Sequence, residues 1–162
     1  FDLMVDVGVG QGRMIQLFAD RVRRAEGFDT SRQMLAIARA SLDGLKTKAA
    51  LRFGDAYAPP VERGSADLVT VHQVLHFLSD PERAVTEAAR LLKRGGRIVI
   101  VDFAPHGLEF LREEHAHRRL GFSDAEISAW CESAGLASIS ITTLAPKQRD
   151  ALTVKIWAGE RL

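Results

Sequence analysis

The sequence predicts an α/β fold: a Rossmann-like, seven-stranded, mainly parallel sheet with an antiparallel last strand and helices on both faces. Three observations lead there. Apolar runs of strand length alternate with segments whose apolar residues recur at helical spacing, giving five βα alternations. Two segments of alternating polarity, marked by Ile139/Ile141 and Val154/Ile156, close the chain with only a loop between them. Without a crossover helix, the second of these must run antiparallel to the first. Finally, a glycine-rich loop, Gly8-Val9-Gly10-Gln11-Gly12, follows the first apolar run.

In chain order, Leu3 to Val7 reads as a buried strand and Gln11 to Ala19 as the helix after it. A short strand over Ala25 to Phe28 leads to a helix opened by Thr30-Ser31-Arg32-Gln33, where Thr30 and Gln33 fit a capping box. Leu35, Ala38 and Leu42 give that helix one apolar face. Leu51 to Phe53 is a third strand, and Asp67 to Val71 a fourth. Asp80-Pro81 opens the next helix, since the N–H that Pro lacks is unpaired in a first turn anyway. Val85, Ala88 and Leu92 form its buried stripe, and Gly95-Gly96 stops it. Arg97 to Asp102 is then a strand built on the β-branched run Ile98-Val99-Ile100-Val101. Ser123 and Glu126 make a second capping box before the helix that carries Trp130.

The bulk composition bounds the function. With 162 residues, 46% of them hydrophobic and 27% charged, the chain describes one domain. A domain of this size buries roughly two-thirds of its unfolded surface. A net charge of +1 argues against broad electrostatic capture of nucleic acid by this domain itself. No apolar run approaches the ~20 residues of a membrane span, and no basic-then-apolar leader is visible. Cys131 stands alone, which excludes an internal disulfide and a multi-cysteine metal site, so no metal is expected. A reducing cytoplasm suits these features. Residues 1–162 read as a single domain that opens on Phe1 without an initiator Met, and a region upstream is expected.

The glycine loop separates two cofactor classes. A dinucleotide fold wants G-x-G-x-x-G, which from Gly8 would place the third glycine at position 13, where Arg13 stands. The chain reads Asp6-Val7-Gly8-Val9-Gly10-Gln11-Gly12 instead. Glycines in such a loop let backbone N–H groups approach a ligand with no Cβ in the way. About twenty residues on, Gly27-Phe28-Asp29 ends the second strand with a carboxylate able to accept both hydroxyl protons of a ribose.

The D-x-G-x-G-x-G spacing resembles motif I of the class I S-adenosylmethionine-dependent methyltransferases. Gly54-Asp55-Ala56, the segment His72-Gln73-Val74-Leu75-His76 and the turn Leu92-Lys93-Arg94-Gly95-Gly96-Arg97 match that family in order, over nearly the whole chain. The resemblance implies S-adenosylmethionine as cofactor and S-adenosylhomocysteine as product. It assigns the methionine and ribose ends to Asp6, Gly8, Gly10, Gly12 and Asp29, the adenine to Asp55 and Ala56, and the methionine moiety to the segment containing Gln73. More narrowly, Asp102-Phe103-Ala104-Pro105-His106 and the stretch Glu109 to Ser123 resemble methyltransferases fused to ArsR-type winged-helix regulators, and ubiquinone-biosynthesis methyltransferases. Partners implied this way are a small-molecule acceptor, DNA through a winged helix outside this chain, and a second copy in a homodimer.

Methyl transfer is an in-line displacement that requires alignment, exclusion of water and, for some acceptors, removal of a proton. Candidate bases are His76, His115 and Glu114. On a helix through Leu108 to Leu120, His115 shares a face with Leu108 and Leu111, while His117 lies about 200° round from His115, towards solvent. Glu114 either serves as base or forms an exposed i,i+4 pair with Arg118. The segment after the fourth strand lacks the Asp/Asn-Pro-Pro-aromatic motif of amino-methylating DNA enzymes, and one cysteine cannot hold arsenite. The expected activity is methyl transfer to a small-molecule O, N or C nucleophile. The alternative is a sensor that binds S-adenosylmethionine or its product without turnover and reports to a DNA-binding half.

Overall fold

The structure is a computed structural model that describes residues 1–148 and 151–162. Its strands are β1 (Leu3–Val7), β2 (Arg24–Asp29), β3 (Lys48–Phe53), β4 (Ala66–His72), β5 (Leu92–Phe103), β6 (Leu136–Leu144) and β7 (Val154–Arg161). They form one seven-stranded sheet in the order β3-β2-β1-β4-β5-β7-β6. Neighbours from β3 through β5 are parallel, and β7 lies antiparallel between β5 and β6. The helices are α1 (Arg13–Phe18), α2 (Arg32–Leu42), α3 (Pro81–Leu91), α4 (Phe110–Glu114) and α5 (Asp124–Ser133), with a 3-10 turn over Leu75–Phe77.

Strand β1 is buried throughout because both of its faces are covered. Leu3, Val5 and Val7 join the core beneath α3 and α5, with Val85, Ala88 and Ile127. Met4 faces the other way, with Ile15 of α1 and Leu35 of α2. Trp157 of β7 is fully buried, and its indole N–H donates to Asp124 Oδ1 at 3.0 Å, tying the start of α5 to the antiparallel edge. The sheet and its covering match the expected fold class.

Local expectations fared unevenly. Helix follows strand at β1, β2, β4 and β5, four alternations rather than five. Between β3 and β4 the chain carries Gly54, Pro59, Pro60 and Gly64, each of which interrupts a helix, and β3 is left largely exposed. The Ser123/Glu126 capping box forms in full. The Thr30/Gln33 box does not: Ser31 is the N-cap, and its hydroxyl accepts from the Met34 N–H at 3.2 Å. Ser and Thr are both favoured N-caps, and the Gln33 three residues after Thr30 made the weaker of the two look like the cap. Helix α1 starts only at Arg13, since Gly12 before it is left-handed (φ 85°). Helix α3 hands over directly to β5 at Leu92, which pairs with Ala66 before a register shift, so Gly95-Gly96 falls inside the bent start of the strand. The long helix expected over Leu108 to Leu120 is the single short α4.

Ser31→Ala is expected to lower unfolding free energy by ~1 kcal/mol, and Thr30→Ala by less than about half that, in urea titrations followed by circular dichroism. Equal losses would show that the cap was assigned to the wrong residue.

Candidate functional site

The carboxyl ends of β1, β2 and β4 lie side by side, where open parallel sheets bind ligands. Backbone bonds bring their loops together. Val9 N–H donates to Phe28 O at 2.9 Å, and Gly54 N–H to Asp29 O at 3.1 Å. The Asp29 carboxylate completes the arrangement: Oδ2 accepts from Gly10 N–H at 2.9 Å and Oδ1 from Ser31 N–H at 2.9 Å. Above these ends opens a cavity of about 580 Å³. Asp6, Gly8 and Gly10 form its floor, Asp29, Asp55 and Ala56 one wall, and Gln73, Val74, Phe77 and Leu78 the other.

The glycines divide by function. Gly8 (φ +67°) tolerates no side chain, because a Cβ there would sit 2.5 Å from Val74 Cγ2. At Gly10 (φ +51°) the nearest atom to a Cβ is Gly8 O at 4.0 Å, so the loop keeps open space on that side. Gly12 is not on the cavity. It caps α1 and packs against Leu42, a role in helix placement that the uniform x-G-x-G spacing could not reveal.

Asp6 is almost wholly buried, and its Oδ1 accepts from Thr70 Oγ1 at 2.6 Å. Burial pushes its pKa up to about 7; the Thr70 bond opposes that rise and the neighbouring Asp29 charge adds to it. Asp55, exposed and lining the cavity, shapes its own turn, with Oδ1 accepting from Tyr57 N–H at 2.8 Å. Gln73 sits in the left-handed region (φ 53°), rare for a residue with a Cβ, while its N–H donates to Val101 O at 2.7 Å. That strained residue turns the chain sharply off β4 and over the cavity.

The candidate bases separate. His76 is buried beside the cavity rather than in its wall, with Nδ1 2.8 Å from Asp102 Oδ1. His115 and Glu114 are exposed and lie off the cavity. The expected facing of the two histidines is reversed: His117 is the buried one. The helix ends at Glu114, Ala116 is left-handed (φ 56°), and His117 N–H folds back onto Leu111 O at 3.0 Å. A helical wheel drawn through this break assigns the wrong faces. The same break removes the i,i+4 geometry between Glu114 and Arg118; Glu109 and Arg112 pair instead, at 3.0 Å.

Sequence reasoning missed several residues. Phe28, Thr30, Met34 and Tyr57 line the cavity. Phe28 and Thr30 stand at the end of β2 and Tyr57 in the turn after β3, a positional signal, whereas Met34 lies in the first turn of α2. His72, noted only for its place after β4, also lines it, and burial, then the Arg13 charge, depress its pKa while Asp102 opposes. Asp102 closes the β-branched strand that the sequence marks, but its full burial leaves no sign in the pattern.

A mainly parallel sheet in this order, with a glycine loop bonded to a carboxylate at the end of the next strand, defines a nucleoside-binding class of α/β domain. Residues 5–100 match the family model described as "Methyltransferase domain", and the chain belongs to that family. It is 34% identical over 105 residues to the uncharacterized methyltransferase YcgJ of Bacillus subtilis, covering 63% of this chain and 41% of that protein. It is 28% identical over 155 residues to the ubiquinone biosynthesis O-methyltransferase of Azoarcus sp., covering 86% of this chain and 66% of that one. The chain thus spans less than two-thirds of the length of these relatives. Among solved structures, phosphoethanolamine N-methyltransferase 2 of Haemonchus contortus, in complex with S-adenosyl-L-methionine, superposes with a TM-score of 0.80 at 17% identity, over 99% of this chain and 48% of that one. No helix among the described residues is long and apolar enough to cross a membrane.

A carboxyl whose folded pKa is raised binds a proton that the unfolded chain has already released. Asp6 therefore costs stability as pH rises from its unfolded value towards about 7, and the cost persists above. Asp6→Asn should gain stability relative to the parent, by about 1–3 kcal/mol, between about pH 5 and about pH 8 in urea titrations. A pH-independent difference would contradict the buried-charge account.

Proposed function

We propose that this domain binds S-adenosylmethionine and transfers its methyl group to a small-molecule O, N or C nucleophile. The observation that carries the reading is the Asp29 carboxylate bonded to the Gly10 amide at the edge of the cavity. A carboxylate offers about four lone-pair positions; two are used by Gly10 and Ser31, and two are left for a pair of vicinal hydroxyls. The open side of Gly10 gives a carboxylate room to approach the loop amides. Family membership and relatives named as methyltransferases support the same reading.

The cofactor, when bound, supplies a methyl group already activated on a sulfonium sulfur. The chain's own residues then bind, orient and deprotonate. Asp29 holds the ribose, Asp55 and Ala56 flank the adenine, and Asp6 with the loop from Gly8 to Gly10 receives the amino-acid end. The Asp6 carboxylate, costly when buried alone, is relieved by an ammonium beside it. Phe77 and Leu78 exclude water from the far wall. Of the three candidate bases, His76 stands nearest the cavity, next in sequence to the lining residue Phe77, and is the one proposed to take a proton from an acidic acceptor. The solitary buried Cys131, kept reduced, suits a cytoplasmic setting.

Calorimetric titration with S-adenosylmethionine and S-adenosylhomocysteine, followed by product release against a panel of small phenols, amines and enolisable ketones, tests the reading. Both ligands should bind, and Asp29→Asn should weaken each at least about tenfold, which is ~1.4 kcal/mol. Absence of binding by the parent rejects the proposal.

A further inference from the structure

Two hollows lie back to back beside the loop that follows β3, and one side chain stands between them. The first is the cavity above the strand ends; the second is a groove of about 330 Å³ lined by Pro59, Val61, Arg83 and Leu91. Tyr57 lines both, and no other residue among those described does so. Its side chain is half-buried. Arg83, which lines the groove and not the cavity, places its guanidinium carbon 5.2 Å from the Tyr57 ring centroid, within cation–π range.

This ring is fastened at both ends. At the backbone, Tyr57 N–H donates to Asp55 Oδ1 at 2.8 Å and Ala58 N–H to Asp55 O at 3.1 Å, closing a tight turn. Pro60 packs on Gly54, where a Cβ would stand 2.6 Å from the proline ring, and Pro60 O accepts from Arg52 Nη1 at 2.8 Å. The hydroxyl crosses to the opposite wall of the cavity. It accepts from Asp80 N–H at 2.9 Å, which leaves its own proton for Ser79 Oγ at 3.2 Å. Ser79 directly follows Leu78, a residue of that wall. Among the described residues, no other hydrogen bond joins residues 54–60 to residues 73–80.

We propose that Tyr57 is the specificity-determining residue at the base end of the cavity: its ring, locked by the hydroxyl, bars a nucleoside whose base carries a bulky substituent on the amino group. This rests on the reading of the cavity as an S-adenosylmethionine site with the adenine beside Asp55. A carboxylate only accepts hydrogen bonds, and the amino group is the strong donor that the base of such a nucleoside offers. That group therefore comes to Asp55 and meets the turn that carries Tyr57. A substituent there runs into the ring, and a clash discriminates between ligands without adding any attraction for the correct one. The tie is made in the ligand-free chain, so the wall is ordered before a ligand arrives and binding has less to immobilise. Behind the ring, the groove holds the room that a substituent needs once the ring is removed.

Calorimetric titration of the chain with S-adenosylhomocysteine and with its N6-benzyl derivative tests this. The parent should bind the derivative about a hundredfold more weakly, the scale of an overpacked site. Tyr57→Ala joins cavity to groove and should cut that ratio to about tenfold or less. Tyr57→Phe keeps the ring but loses the tie, and its ratio should fall between the other two. General loosening of the domain weakens both ligands alike and leaves the ratio unmoved, so the ratio reads the barrier itself. A parent that binds both ligands equally, or an unchanged ratio in Tyr57→Ala, overturns the proposal. A parental ratio in Tyr57→Phe overturns the lock, and this variant alone decides if Tyr57→Ala fails to fold. A parent that binds neither ligand overturns the S-adenosylmethionine reading, and the proposal with it.

Discussion

One hydrogen bond, from the Gly10 amide to the Asp29 carboxylate at 2.9 Å, is the constraint on which the site depends. It exists because β1 and β2 are parallel neighbours in a register that sets Asp6 beside Gly27 and Val7 beside Phe28. Both strands therefore end at one level, and the loop leaving the first meets the acid closing the second. Gly27 itself allows this proximity: a Cβ there would stand 2.7 Å from Val9 Cγ2, so any larger residue would push the glycine loop away. The cavity is a consequence of strand register before it is a consequence of side-chain choice.

The sheet's core is apolar except where its strands end. Asp6 and Thr70 form a buried pair between β1 and β4, and Asp102 a buried carboxylate on β5. Each weakens the apolar packing around it, and burying such groups without full compensation costs free energy. Their confinement to the carboxyl ends of three adjacent strands, beneath or beside one cavity, is the pattern expected when stability is given up for binding and proton transfer.

Legibility followed the range of the forces involved. Strands such as β1 and β4, and the stripe Leu35, Ala38, Leu42 on α2, are written as apolar periodicity, so they could be read directly. Asp29 was legible because its place is fixed by counting from the glycine loop along one βα unit. Gly12 was not distinguishable from Gly8 and Gly10, since its neighbour Leu42 lies on the far end of another helix. The segment from Glu109 to Leu120 misled most. Its composition suits a helix, but the backbone breaks at Ala116 so that Arg118 and Arg119 can bond to His76, and such a tertiary preference leaves no periodic mark. That His117 is buried consequently came into view only with coordinates.

The central claim is that Asp29 grips vicinal hydroxyls while the glycine loop is held beside it. A thermodynamic cycle measures this most directly: the affinities of the parent and Asp29→Asn for S-adenosylhomocysteine and for its 2′,3′-dideoxy analogue. The account predicts that removing the hydroxyls weakens the parent at least about tenfold and the variant hardly at all, a coupling of ~1.4 kcal/mol. Equal losses in both proteins would mean that the carboxylate shapes the loop without touching the sugar, contradicting the account.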